Sequence, residues 1–297
     1  MNTDWSGLVI IPVMRAIHQT SFPDGVAVLT FDQPGSRANI LRRELWEELR
    51  AALEQLTGRN DTRGLILASA KPGIFVAGAD LKFFATVPAP NDPAVAELIR
   101  YGLDTLELLE TLPFPTCAAI DGAAVGGGLE VALACDTRLL GTNPRVELGL
   151  PETKLGLIPG WGGTQRLPRI AGLELAADML ESGRLLTAQE ACDRGLASAV
   201  VQSESLIEFA AKHVLHEGWR ELRAMKLGPV AIHESERFSA TVPSSPDAVR
   251  EAMVLLNAGA ELPLAEALKL ETEAFLRLAG SDESKRTIAE FFASKRS

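Results

Sequence analysis

The chain has 297 residues, 46% hydrophobic and 23% charged, with a formal net charge of -10 and three cysteines. At roughly 100–200 residues per domain, that length suggests one large domain or two smaller ones, with enough core to need no disulfide or metal staple. The acidic balance argues against a general nucleic-acid partner and against an anionic membrane surface, since both want a basic face; a small anionic ligand stays open.

Near the start, Gly7 to Met14 is a short apolar run preceded by Asp4 and by no basic region, so it does not read as a targeting segment. Val26 to Phe31 reads as a strand entered through Pro23-Asp24-Gly25 and left through Gln33-Pro34-Gly35-Ser36. Leu41, Leu45, Leu49, Leu53 and Leu56 recur at helical spacing. Gly64 to Ser69 is a short apolar strand broken by Lys71-Pro72-Gly73, Ala94 to Leu112 is helical and closed by Pro113 and Pro115, and Thr116 to Ile120 is a third buried strand. Leu129 to Ala134 reads as helix, Arg138 to Leu140 as strand and Gly172 to Leu180 as helix. From Glu204 onward the pattern is helical, with Pro243-Ser244-Ser245-Pro246 as a loop and amphipathic helices over Pro263 to Leu278 and Ser281 to Lys295. Alternating strand and helix predicts an α/β body with a mainly parallel, covered sheet, here residues 1–200, followed by a helical region, 201–297.

No stretch approaches the ~18 apolar residues of a membrane span. Cys117, Cys135 and Cys192 lie far apart with no CxxC spacing, so they read as small apolar residues of a protein in a reducing setting. The expected location is cytoplasmic, or the mature form of an organellar protein. His213 and His216 lack companion ligands, and no metal is expected. No GxSxG and no GxGxxG stands in place, so neither a serine hydrolase nor a nicotinamide cofactor is expected.

Three segments carry chemistry. Ile120 to Asp136 (IDGAAVGGGLEVALACD) runs from a buried strand through Gly126-Gly127-Gly128 into a helix. Such glycines serve either tight helix–strand packing or the close approach of a ligand to free N–H groups at a helix start. Phe75 to Leu81 (FVAGADL) is either a plain glycine turn or an anion-binding nest around Ala79 and Asp80. Leu148 to Leu167 (LGLPETKLGLIPGWGGTQRL) places Glu152 after Pro151 in apolar surroundings. Glu130 and Glu152 each suit a first helical turn electrostatically. Together beside an oxyanion hole, they also suit addition of water to a double bond conjugated to a thioester: amides stabilise the enolate oxygen while carboxyls activate water and protonate the α-carbon.

AGADL, then AAIDGAAVGGGLEVALACDTR, then GLPETKLGLIPGWGGTQRLPRIAG, in this order, resemble the crotonase (enoyl-CoA hydratase/isomerase) superfamily over roughly Val26 to Val201, closest to the hydratase part of multifunctional fatty-acid oxidation proteins. The dehydrogenase half of those proteins has no counterpart motif here. The resemblance implies an α/β, crotonase-like spiral of ββα units with a C-terminal helical trimerisation region, assembled as a homotrimer or dimer of trimers. It implies oxyanion amides at Ala79 and Gly127, acid/base glutamates at Glu130 and Glu152, and an acyl-CoA thioester as substrate, lined by Ala79, Asp80, Leu81, Lys82 and Gly127. No cofactor is implied. Both glutamates being present points to hydration of trans-2-enoyl-CoA; the alternatives are double-bond isomerisation or a non-catalytic acyl-CoA-binding relative. Phe291 and Lys295 resemble residues that reach CoA in some relatives, Glu147 stands where an apolar residue is usual, and Trp161 is expected to narrow the acyl tunnel. Arg166 and Arg169 read as structural or surface residues, with contact to CoA phosphates as the alternative; Asp136 reads as structural and Asp80 as turn-stabilising.

Overall fold

The three apolar runs read as strands lie side by side in one sheet. A computed structural model describes residues 15–230 and 246–295. The expectations for Gly7 to Met14 and for Pro243 to Ser245 lie outside the described residues. In chain order the elements are β1 (Ile17–Ser21), β2 (Val26–Phe31), α1 (Arg43–Thr57), β3 (Gly64–Ser69), β4 (Gly73–Val76), α2 (Leu81–Phe84), α3 (Pro93–Glu110), β5 (Thr116–Ile120), β6 (Gly122–Val125), α4 (Gly127–Ala134), β7 (Thr137–Gly141) and β8 (Glu147–Gly149). After a 3-10 turn at Pro151–Leu155 come α5 (Gly163–Ala171), α6 (Leu173–Ser182), β9 (Leu185–Thr187), α7 (Ala188–Asp193) and β10 (Ala199–Val201). A second 3-10 turn, Ser203–Ser205, leads to α8 (Leu206–Val214), α9 (Trp219–Leu227), α10 (Asp247–Ala260), α11 (Leu264–Leu278) and α12 (Asp282–Ser294).

Two sheets form, ordered β1-β2-β3-β5-β7-β10 and β4-β6-β8-β9. Within the chain, β3-β4, β5-β6 and β7-β8 each send the first strand to the large sheet and the second to the small one, then pass into a helix or helical turn. That repeated ββα winding is the spiral. The pairs β2-β3, β3-β5 and β5-β7 are parallel, and β1 adds antiparallel to β2. The inner strands β2, β3, β5 and β7 of the large sheet are covered on both faces, which is why β2, β3 and β5 read as continuous apolar runs rather than alternating ones. Ala27, Leu29 and Phe31 enter the main core, while Val26 and Val28 face a smaller cluster under α8 with Ile66, Cys117, Leu206 and Ala210.

The helices follow from their apolar stripes. In α1 the buried residues are Leu45, Trp46, Leu49, Leu53 and Leu56. Asp92 caps α3, accepting from Ala94 N and Val95 N, with Pro93 in the first helical position where its missing N–H costs nothing. Ser281 caps α12 by accepting from Ser284 N. Among the described residues no helix is long and apolar enough to cross a membrane.

Candidate active site

The loop at Ala79 is fixed from below by Asn39. Its fully buried side chain accepts from Gln33 N and donates to Phe75 O (2.9 Å) and Ser69 Oγ (2.9 Å). Ala77 N then donates to Asn39 O and Leu41 N to Gly78 O, so residues 39–41 zip the loop in place. Gly78 has φ +88°, and a methyl carbon built on it would stand 2.9 Å from Val125 O and 3.5 Å from Gly127 N. The two chain-distant loops therefore converge. No described protein group accepts from Ala79 N or Gly127 N.

Gly127 opens α4, a helix buried along its whole length. Its positive end, with Gly127 N free, lies beside the loop of Ala79. The opposite end is met by cations: Arg138 donates to Ala132 O and Cys135 O, and the buried Lys226 ammonium donates to Ala134 O and Cys135 O. The triple glycine serves both readings of it at once. A methyl on Gly128 would come within 2.0 Å of Val76 O, so that position is close packing of helix on strand. Gly126 takes φ +58°, which admits glycine, and a methyl there would meet Glu152 Oε1 at 2.6 Å.

A cavity of about 200 Å³ lies over these elements. Ala79, Gly127, Glu130, Glu152 and Leu81 all line it, with Phe84, Ile99, Trp161, Phe275 and Phe291 supplying apolar wall. Glu130, on the first turn of α4, is 1% exposed; its Oε1 accepts from Trp161 N and Gly163 N, both at 2.7 Å. Its Oε2 and Glu152 Oε2 are buried with no hydrogen-bond partner among the described residues. An unpaired buried carboxyl oxygen is costly, so two beside one cavity mark a place kept for a ligand.

Burial pushes Glu130 well above the usual carboxylate range; Glu271 and Glu152 push it further, while the amides of Gly163 and Trp161 pull back. Burial pushes Glu152 up to about 8, its own backbone N–H opposing and Glu271 adding to the rise. Near neutral pH the pair thus retains a proton, which acid/base work requires.

Asp80 and Lys82 do not line the cavity. Asp80 caps α2 by accepting from Lys82 N (3.0 Å) and pairs with Arg42 at 2.7 Å, as a turn-stabilising residue would; Lys82 is exposed. Lys295 lies 5.5 Å from the Phe291 ring centroid. Arg166 is fully buried in a two-pronged pair with Glu110 (2.8 Å each), and Arg169 donates to the carbonyls of Gln165, Gly228, Gly259 and Leu262; both hold the fold together. Asp136 accepts from Thr116 N and from Arg223. Glu147 is exposed.

The apolar wall residues Phe84, Ile99 and Phe275 escaped the sequence reading, and so did a buried carboxyl beside the site. Glu271, on α11, is fully buried against the turn that starts α5. Its signal was a carboxyl on the apolar stripe of an amphipathic helix, in line with Leu264, Ala267, Ala274 and Leu278.

A model of the enoyl-CoA hydratase/isomerase family matches residues 21–225. Among solved structures, the chain is similar to an enoyl-CoA hydratase from Bacillus anthracis, at 32% identity and TM-score 0.63 over 94% of this chain and 97% of that one. It is also similar to an enoyl-CoA hydratase from Bacillus halodurans, at 25% identity and TM-score 0.69 over 93% and 100%. Human mitochondrial delta3-delta2-enoyl-CoA isomerase matches at 25% identity and TM-score 0.72 over 95% and 98%. With a spiral of ββα units, paired loops at Ala79 and Gly127 and a family match across most of its length, the chain belongs to the enoyl-CoA hydratase/isomerase family of the crotonase superfamily.

Proposed function

We propose that the protein hydrates trans-2-enoyl-CoA thioesters to 3-hydroxyacyl-CoA. The observation that carries this reading is the pair of buried oxygens, Glu130 Oε2 and Glu152 Oε2, on two residues lining one cavity and without a hydrogen-bond partner among the described residues. In this reading the thioester oxygen sits between Ala79 N and Gly127 N. Charge that builds on it as the enolate forms is met by two N–H donors and the positive end of α4, an effect worth about 3–4 kcal/mol per donor in such sites. One carboxyl takes a proton from water as its oxygen bonds the β-carbon. The other delivers a proton to the α-carbon. Since the pair retains a proton near neutrality, it supplies an acid and, once ionised, a base from the same two side chains. The apolar wall of Phe84, Ile99 and Phe275 receives the acyl chain, and Trp161 bounds it.

The reaction needs no cofactor, since acyl-CoA is itself the substrate. Fatty-acid β-oxidation in the cytoplasm and assembly as a homotrimer or dimer of trimers belong to the same proposal. The exposed Leu222 and Met225 of α9 offer apolar surface for assembly.

Isomerisation is the competing reading, and the likeness to the human isomerase speaks for it. It moves a proton and adds no water, so one carboxyl suffices. Loss of the conjugated thioester absorbance on incubation with crotonyl-CoA and longer enoyl-CoAs tests hydration. Glu130→Gln and Glu152→Gln should each abolish it. Activity surviving either substitution would favour the single-carboxyl reaction.

A further inference from the structure

We infer that Glu271 is a positioning residue for the acid/base pair: it holds the turn that anchors Glu130 and so leaves Glu130 Oε2 free to face the cavity. The inference rests on the reading of Glu130 as an acid/base group.

The start of α5 presents four successive N–H groups, at Trp161, Gly162, Gly163 and Thr164, and a helix start has no internal acceptors for them. Two carboxyls from distant parts of the chain take them alternately. Glu130 Oε1 accepts from Trp161 N and Gly163 N. Glu271 Oε1 accepts from Gly162 N at 2.6 Å, and its Oε2 from Thr164 N at 2.9 Å and Thr164 Oγ1 at 2.5 Å. Glu271 thus spends both oxygens on the turn, whereas Glu130 spends one.

The tandem glycines give this turn no stiffness of their own, and Gly162 sits at φ +98°. Without Glu271, two buried N–H groups lose their acceptor. Glu130, whose Oε1 already accepts from the same turn, has a free oxygen to offer them, and its rotation toward them would withdraw it from the cavity.

The charges around Glu271 reinforce this division. Glu130 on α4 and Glu152 on the 3-10 turn face it with like charge; Arg166 and Arg169 on α5 face it with opposite charge. Arg166 is already engaged by Glu110 of α3, beside Lys226 of α9. From α10, Glu251 pairs with Arg277 on the exposed side of α11. No described cation forms an ion pair with Glu271, so its charge rests on three hydrogen-bond donors. Burial, the largest cause, pushes Glu271 up to about 7. Its charge in turn helps keep the proton on Glu130.

The test uses the full-length protein with Glu271→Gln, Thr164→Val and Thr164→Ser. Two readouts are taken: kcat and KM for crotonyl-CoA, and the infrared band of protonated carboxyls followed across pH. Misplacing Glu130 should lower kcat by about tenfold to a hundredfold in Glu271→Gln with little change in KM. The remaining carboxyl band should disappear at lower pH than in the parent. Thr164→Val should lower kcat by less and move the Glu271 carboxyl band to higher pH, because it removes a donor that holds that carboxyl down, and Thr164→Ser, which restores the hydroxyl, should return both readouts. A folded Glu271→Gln protein with unchanged kcat and unchanged carboxyl titration overturns the inference. If Glu271→Gln does not fold, the Thr164 pair decides by the same readouts, and no difference between Val and Ser overturns it. The infrared titration reports on the carboxyls whatever reaction the cavity runs. A parent inert toward enoyl-CoA whose titration still shifts in Glu271→Gln refutes the hydratase reading and leaves the positioning role standing.

Discussion

Glu152 Oε1 rests so close to the α-carbon side of Gly126 that a methyl group there would stand 2.6 Å from it. The loop that introduces Gly127 N and the carboxyl on the facing turn are therefore matched in shape. Gly126→Ala should strain the backbone at φ +58°, costing about 1–3 kcal/mol, and push Glu152 aside. Thermal unfolding should shift down modestly, while kcat on the proposed substrate drops by roughly a hundredfold, the order seen when an oxyanion donor is lost. Parent-like turnover in Gly126→Ala would show that this contact is incidental.

The buried carboxyls predict a pH dependence of stability with a definite sign. Glu152 and Glu271 titrate at about 8 and about 7 in the folded protein, against 4.5 ordinarily. Between those values the folded state binds protons that the unfolded chain has released. Their contribution is therefore fully present below the ordinary value and lost as pH rises through the folded ones. Urea unfolding at a series of pH values should show stability declining from mildly acid to mildly alkaline pH, each tenfold tightening of proton binding on folding contributing about 1.4 kcal/mol. Glu152→Gln, neutral throughout, should flatten the upper part of that decline. An unaltered slope in the variant would mean that Glu152 is not held protonated.

The Glu110–Arg166 pair predicts the opposite behaviour at the acid end. Burial alone would raise Glu110, but Arg166 and Lys226 outweigh it and hold the carboxyl below its usual value. Its contribution is present above the ordinary carboxylate value and lost as pH falls through the depressed one. Glu110→Gln leaves Arg166 and Lys226 buried without their counter-charge and should cost about 3–5 kcal/mol by chemical denaturation. Because Arg166 also donates to Trp161 O at 2.6 Å, the loss should reach the turn that holds Glu130. A cost under about 1 kcal/mol, the level of an exposed pair, would contradict that account.

What the sequence disclosed follows from what each segment does in the fold. Val26–Phe31, Gly64–Ser69 and Thr116–Ile120 were legible because a sheet covered on both faces makes unbroken apolar runs. The small sheet was not. Gly73–Val76, Gly122–Val125, Glu147–Gly149 and Leu185–Thr187 are three or four residues long, too short to display a period. β1 was missed because its outward residues are polar and exposed. α5 was hidden more deeply. It begins at Gly163, contains Pro168 and buries Thr164, Gln165, Arg166 and Arg169, so it has no apolar stripe; carboxyls from α4 and α11 satisfy its first turn instead. The cavity residues Ala79, Gly127, Glu130 and Glu152 were named from family motifs. Glu271 stands far beyond the last of those motifs, 109 residues from the Gly162 amide it accepts from, and required the tertiary contact to be seen.

The most direct test is to turn over crotonyl-CoA in isotopically labelled water and locate the heavy oxygen by mass spectrometry. The account predicts a 3-hydroxyacyl thioester carrying the label on C3, formed by the parent and by neither Glu130→Gln nor Glu152→Gln. A parent that only relocates the double bond of longer enoyl-CoAs, with no heavy oxygen in the product, would contradict it.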